Sequence, residues 1–109
     1  MTPGRTLARF NRLISLQQQL KFYEQSSDFY KQGLDAFKNY IECIREFNKP
    51  REMVNGYIRM AKYCEKMEDV LLSRDLYQEA VEMMVTFQVG TEGHVRNLRH
   101  KIQTLNYFY

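Results

Sequence analysis

Between Arg5 and Gln25 the apolar residues fall at Leu7, Phe10, Leu13, Ile14, Leu16, Leu20 and Tyr23, spaced three and four apart. That period matches a helix of 3.6 residues per turn and not the alternation of a strand. The same period returns four more times. Leu34, Phe37, Ile41, Ile44 and Phe47 line a second segment, and Val54, Tyr57, Met60, Ala61 and Cys64 a third. Leu72, Leu76, Ala80, Val81 and Met84 line a fourth, and Val95, Leu98, Ile102 and Leu105 a fifth. No segment alternates with period two. Breaks stand between the segments: "SSD" at 26–28, "NKP" at 48–50, "EKMED" at 65–69 and "QVGTEG" at 88–93. Thr2-Pro3, "SSD", Glu68-Asp69 and Thr91 suit helix starts, and Pro50 ends the geometry before it. The pattern predicts an all-α single domain over 1–109, with five helices at about 5–25, 28–47, 51–66, 69–87 and 91–107. Turns this short make the neighbours antiparallel.

An echo runs through the pattern. "YIECI" at 40–44 stands thirty-seven positions before "YQEAV" at 77–81, tyrosine over tyrosine, Glu42 over Glu79 and small Cys43 over small Ala80. Small residues at helix crossings let backbones approach, and large aromatics fill the wedge beside them. Tyr57, Met60, Ala61, Cys64, Ser73, Tyr77 and Ala80 follow the spacing of the large and small positions of a tetratricopeptide repeat, which this stretch resembles. "YCEKMEDVLLSRDLYQEAV" is also similar to a pentatricopeptide repeat, with Ser73, Arg74, Leu76, Tyr77 and Glu79 in that family's closing run. The turn here is longer than the family's and lacks its usual glycine. The likeness covers 51–87 well, 28–47 in part through Ala36, Tyr40 and Cys43, and not the ends. It implies a short α-α superhelix of two hairpins with a C-terminal capping helix, and a binding role through a concave groove. The "PREMVNGYIRMAK" helix is similar to one in a small helical cytochrome c oxidase subunit, which illustrates a non-catalytic role in a larger complex.

Charge adds a direction. Residues 1–23 carry Arg5, Arg9, Arg12 and Lys21 and no acid. Residues 24–90 carry nine bases and twelve acids, and 91–109 carry Arg96, Arg99 and Lys101 against Glu92, which together give the net +3. An acid-free, arginine-bearing amphipathic start has the properties of a mitochondrial targeting helix, here expected to be retained as structure. The alternative is a core helix with a basic outer face. The expected compartment is the mitochondrial matrix or the matrix side of the inner membrane, with the cytoplasm as the alternative.

Other features narrow the chemistry. With 44% hydrophobic and 27% charged residues the chain belongs with folded proteins, and no apolar run approaches the ~18–20 residues that cross a bilayer. Cys43 and Cys64 could pair, but both fall at apolar helical positions without metal-ligand spacing and read as buried free thiols. There is no glycine-rich phosphate loop, no HExxH and no GxSxG. His94 and His100 are six apart and fall on different helix faces, so they do not share a metal. Glu68-Asp69 and Glu79-Glu82 fit helix-start and exposed-face positions better than acid–base catalysis. No enzyme activity, cofactor or metal is expected.

Tyr107, Phe108 and Tyr109 at the end must fold back or insert into a neighbour. The expectation is a scaffold subunit that meets other protein subunits through Arg5, Arg9, Arg12, Tyr107, Phe108 and Tyr109, with peripheral membrane contact as an addition. Two alternatives stand beside it. One is an RNA-binding module that tracks phosphates through Arg96, Arg99, His100 and Lys101. The other is a peptide-clamping adaptor that uses Asn55, Arg59 and Lys62.

Overall fold

The computed structural model describes the backbone of residues 3–107 and the side chains of residues 7–107. Among these residues the protein is all-helical: α1 (Pro3–Glu24), α2 (Tyr30–Arg45), α3 (Pro50–Lys66), α4 (Val70–Phe87) and α5 (Glu92–Tyr107), with no strand. The chain divides into two compact units, Met1–Asn48 and Lys49–Tyr109.

In the first unit α1 packs on α2. Leu16 and Leu20 of α1 are buried, as are Ala36, Phe37, Tyr40, Ile41, Cys43 and Ile44 of α2. Removing a side chain such as Phe37 from water contributes about 2–3 kcal/mol. The cap of α2 differs from the sequence expectation. Ser26 Oγ accepts from the Asp28 amide at 3.0 Å and closes a local turn. The residue before the helix is instead Phe29, at φ 62 and without a side-chain cap bond.

In the second unit α3 packs on α4 and α4 on α5. Pro50 opens α3 at a position whose amide has no helical partner, behind an extended Lys49 (φ −116, ψ 104), as the ring of a following proline requires. Ala61, Ser73 and Ala80 are fully buried where α3 meets α4. The Ser73 hydroxyl donates to the Ala61 carbonyl at 2.8 Å, which satisfies the hydroxyl buried in that contact. Asp69 caps α4 by accepting from the Leu72 amide at 3.4 Å, and Thr91 caps α5 by accepting from the His94 amide at 3.1 Å.

The connections are tight, and each contains a non-glycine residue in the left-handed region: Phe29, Asn48, Glu68 and Gln88. After α3 the Asp69 amide donates to the Cys64 carbonyl at 2.9 Å and the Glu68 amide to Glu65 at 3.0 Å. That pair of bonds is a Schellman closure, with Glu68 (φ 64) where a glycine is usual. The turn without a glycine therefore still takes the glycine conformation. At the end of α4 the Val89 amide bonds the Met84 carbonyl at 3.0 Å, and Gly90 follows at φ 82, a conformation only glycine adopts freely.

The echoed positions share their surroundings in kind. Tyr40 and Tyr77, Cys43 and Ala80, Ala36 and Ser73, and Ile44 and Val81 are all buried, while Glu42 and Glu79 are both exposed.

Candidate functional site

Helix α1 reverses its polarity halfway along. Positions 5, 9, 12, 16 and 20 form one stripe at helical spacing, which reads arginine for three steps and then Leu16 and Leu20. Positions 7, 10, 14, 17 and 21 form the opposite stripe, which reads Leu7, Phe10 and Ile14, then Gln17 and Lys21. The buried Leu16 and Leu20 fix the first stripe toward α2. Hence in the N-terminal half the basic side turns toward α2 and the apolar side turns out. This corrects the alternative of a core helix with a basic outer face, since Arg9 and Arg12 turn toward α2.

The end of α2 receives those arginines. Arg9 Nε lies 3.5 Å and Arg12 Nη1 3.7 Å from the two carboxylate oxygens of Glu46, with all three side chains between a third and a half exposed. Beside them Phe10 meets Phe47 edge to face, ring centroids 6.4 Å apart. Cys43 Sγ lies 4.0 Å from the Arg9 carbonyl, a long contact with the thiol as donor. Burial pushes the Cys43 thiol above its ordinary pKa, and Glu46 adds to this while Arg12 opposes it. A thiol held protonated is a poor nucleophile. Both cysteines are buried and free. The Arg5 side chain lies outside the described residues.

A second set of candidates lies on α5. Arg96 and Arg99 line an open cleft of about 680 Å³ between the end of α4 and the start of α5, floored by Met84, Val85, Val89 and Val95. Lys101 does not join them. Its Nζ lies 2.7 Å from Glu65 on α3, and the Tyr77 hydroxyl donates to the other oxygen of that carboxylate at 3.0 Å. Glu65 thus ties α3, α4 and α5 together. Burial, and then the adjacent carboxylate, push the Tyr77 hydroxyl well above the ordinary tyrosine pKa. His100 is exposed, and so is His94. No group of side chains among the described residues could hold a metal ion. Asn55 and Lys62 are exposed and Arg59 is half-buried, all on α3.

At the C-terminal end Tyr107 is 86% exposed, and Phe108 and Tyr109 lie outside the described residues. Arg74 of α4 donates to Asn106 at 3.1 Å and so fastens the last turn of α5. No helix among the described residues is long and apolar enough to cross a membrane. Sequence reasoning missed Glu46 and Glu65 as the partners of Arg9, Arg12 and Lys101, since only the fold brings them close. It could have found the outward stripe, because Leu7, Phe10 and Ile14 are spaced three and four apart. A scan of protein-family models matches no family, and searches of curated proteins and of solved structures return no match.

Proposed function

We propose that this chain is a non-catalytic accessory subunit of a large mitochondrial assembly, a respiratory-chain or ATP synthase complex first and the mitochondrial ribosome second. The observation that supports this reading most is α1: acid-free over residues 1–23, rich in arginine, and carrying an apolar stripe that stays about half exposed although Phe10 touches Phe47. Such a face suits a neighbouring subunit or a membrane surface, and the paired α3–α4 hairpin with α5 suits a scaffold of the helical-repeat kind. In that reading α1 serves as both address and structure. The decisive measurement is the native size of the protein in a mild-detergent extract of mitochondria. The expected result is co-migration with a complex many times its own 13.2 kDa; a mass equal to the lone chain, or a cytosolic location, defeats the proposal.

A second reading rests on Arg96 and Arg99, which stand side by side on the cleft of α5 and could follow an RNA backbone. The commitment of Lys101 to Glu65 weakens it by one cation. One good repeat also falls short of a module that reads about one base per repeat. Fluorescence anisotropy with single-stranded RNA separates the two: binding that weakens with salt and is lost in Arg96→Ala/Arg99→Ala favours RNA.

A further inference from the structure

We infer that the outward stripe of α1 rests on an anionic bilayer surface, with Leu7, Phe10 and Ile14 in the acyl–headgroup boundary and Lys21 reaching the phosphates. The inference deepens the accessory-subunit reading and rests on it for its setting. Leu7, Phe10 and Ile14 are 61%, 51% and 42% exposed and stand one above another, with the Phe10 ring keeping its contact with Phe47 on one side. Along the same face the chain continues with Gln17 and then Lys21, both on the stripe. No acid occurs anywhere on that face before Glu24, the last residue of the helix.

Area and charge choose between occupants. Three half-exposed side chains offer on the order of 300 Å² of apolar surface, well short of the ~800 Å² that each partner of a stable specific interface buries. A second copy of this chain would meet the same shortfall of area. A fluid bilayer needs no shape match, and its anionic headgroups complement Lys21, the one charged residue among stripe positions 7, 10, 14, 17 and 21. Lysine suits the position: its stem lies along apolar surface while the ammonium reaches the headgroups.

The test uses the purified full-length chain and vesicles of phosphatidylcholine with or without phosphatidylglycerol. The chain should float with the anionic vesicles and not with phosphatidylcholine alone. Leu7→Ser/Phe10→Ser/Ile14→Ser, at positions that are already solvent-exposed and whose helicity is checked by circular dichroism, should lower binding at least about tenfold. Lys21→Glu should lower it severalfold. Phe10→Trp should shift its emission to the blue with anionic vesicles, whereas Phe87→Trp on α4 should not. Absence of flotation at low salt, or unchanged binding of the triple variant, overturns the inference, as does a blue shift that follows protein concentration without lipid and so reports a second copy. Vesicle binding by a chain that runs alone in native extracts would end the assembly reading and keep this one; the reverse pair of results would end only this one.

Discussion

The α1–α2 and α3–α4 hairpins bury matching residues at their echoed positions, yet different chemistry joins each pair. Between α3 and α4 the contact is close: Ala61, Ser73 and Ala80 are fully buried, and a short hydroxyl–carbonyl bond crosses there. Between α1 and α2 the near half is apolar through Leu16 and Leu20, while the far half depends on Arg9, Arg12 and a shared carboxylate in partial solvent, with one half-exposed Phe10–Phe47 contact beside them. Exposed ion pairs are worth about 0–1 kcal/mol, and the loss of a buried leucine costs about 2–5 kcal/mol. The first hairpin is therefore held at one end of α1 and loosely tied at the other. The reason lies in the α1 sequence, which spends its N-terminal apolar residues on the outside.

The largest effect should come from the two ends of α1. Leu20→Ala, at a fully buried position, should cost about 2–5 kcal/mol in chemical unfolding, and Leu7→Ala within about 0.5 kcal/mol of nothing. Equal losses would end the distinction between the inward and outward stripes. Ala80→Leu comes next. Overfilling the close α3–α4 contact should cost about 1–3 kcal/mol, and more than Cys43→Leu at the echoed position, where the native residue is already larger. If the order is reversed, the second hairpin is not the tighter one.

Tyr77→Phe should cost about 1 kcal/mol near neutral pH, from the lost bond to Glu65. It should also change the alkaline limb. Because the folded-state pKa of Tyr77 is raised, the folded chain keeps a proton that the unfolded chain releases above the ordinary value near 10. The stabilisation from this group is complete below that value and falls as pH rises through it, so the wild type should lose stability there more steeply than the variant. A pH series of urea midpoints measures the difference. Smallest of all, Glu46→Gln should cost no more than about 0.5 kcal/mol, and less in high salt. A cost above 2 kcal/mol would show that the arginine end of α1 is as firmly held as the leucine end.

Much of the fold was legible because helical periodicity is a local property. All five helices, the caps at Asp69 and Thr91, and both buried thiols follow from residues within a few positions of one another. The α2 start was misread because Ser26 bonds forward to Asp28 and leaves the position before the helix to Phe29. The polarity reversal in α1 was hidden because an apolar residue at 13, 14, 16 or 20 counts equally toward an average, although at ~100° per residue positions 14 and 16 face apart. The fate of Lys101 was out of reach: its partner Glu65 lies thirty-six residues earlier, and only the packing of α5 on α4 brings them together.

The left-handed turn at Glu68 has a consequence for what this fold permits. Between Lys66 and Val70 the path is closed by its own amides, so the end of α3 sets the rotational phase at which α4 begins. One inserted residue would break the paired amide bonds that close this turn and leave the last carbonyls of α3 to find other partners. Loop tips usually absorb length changes freely, but this one carries hydrogen bonds that a longer path would lose.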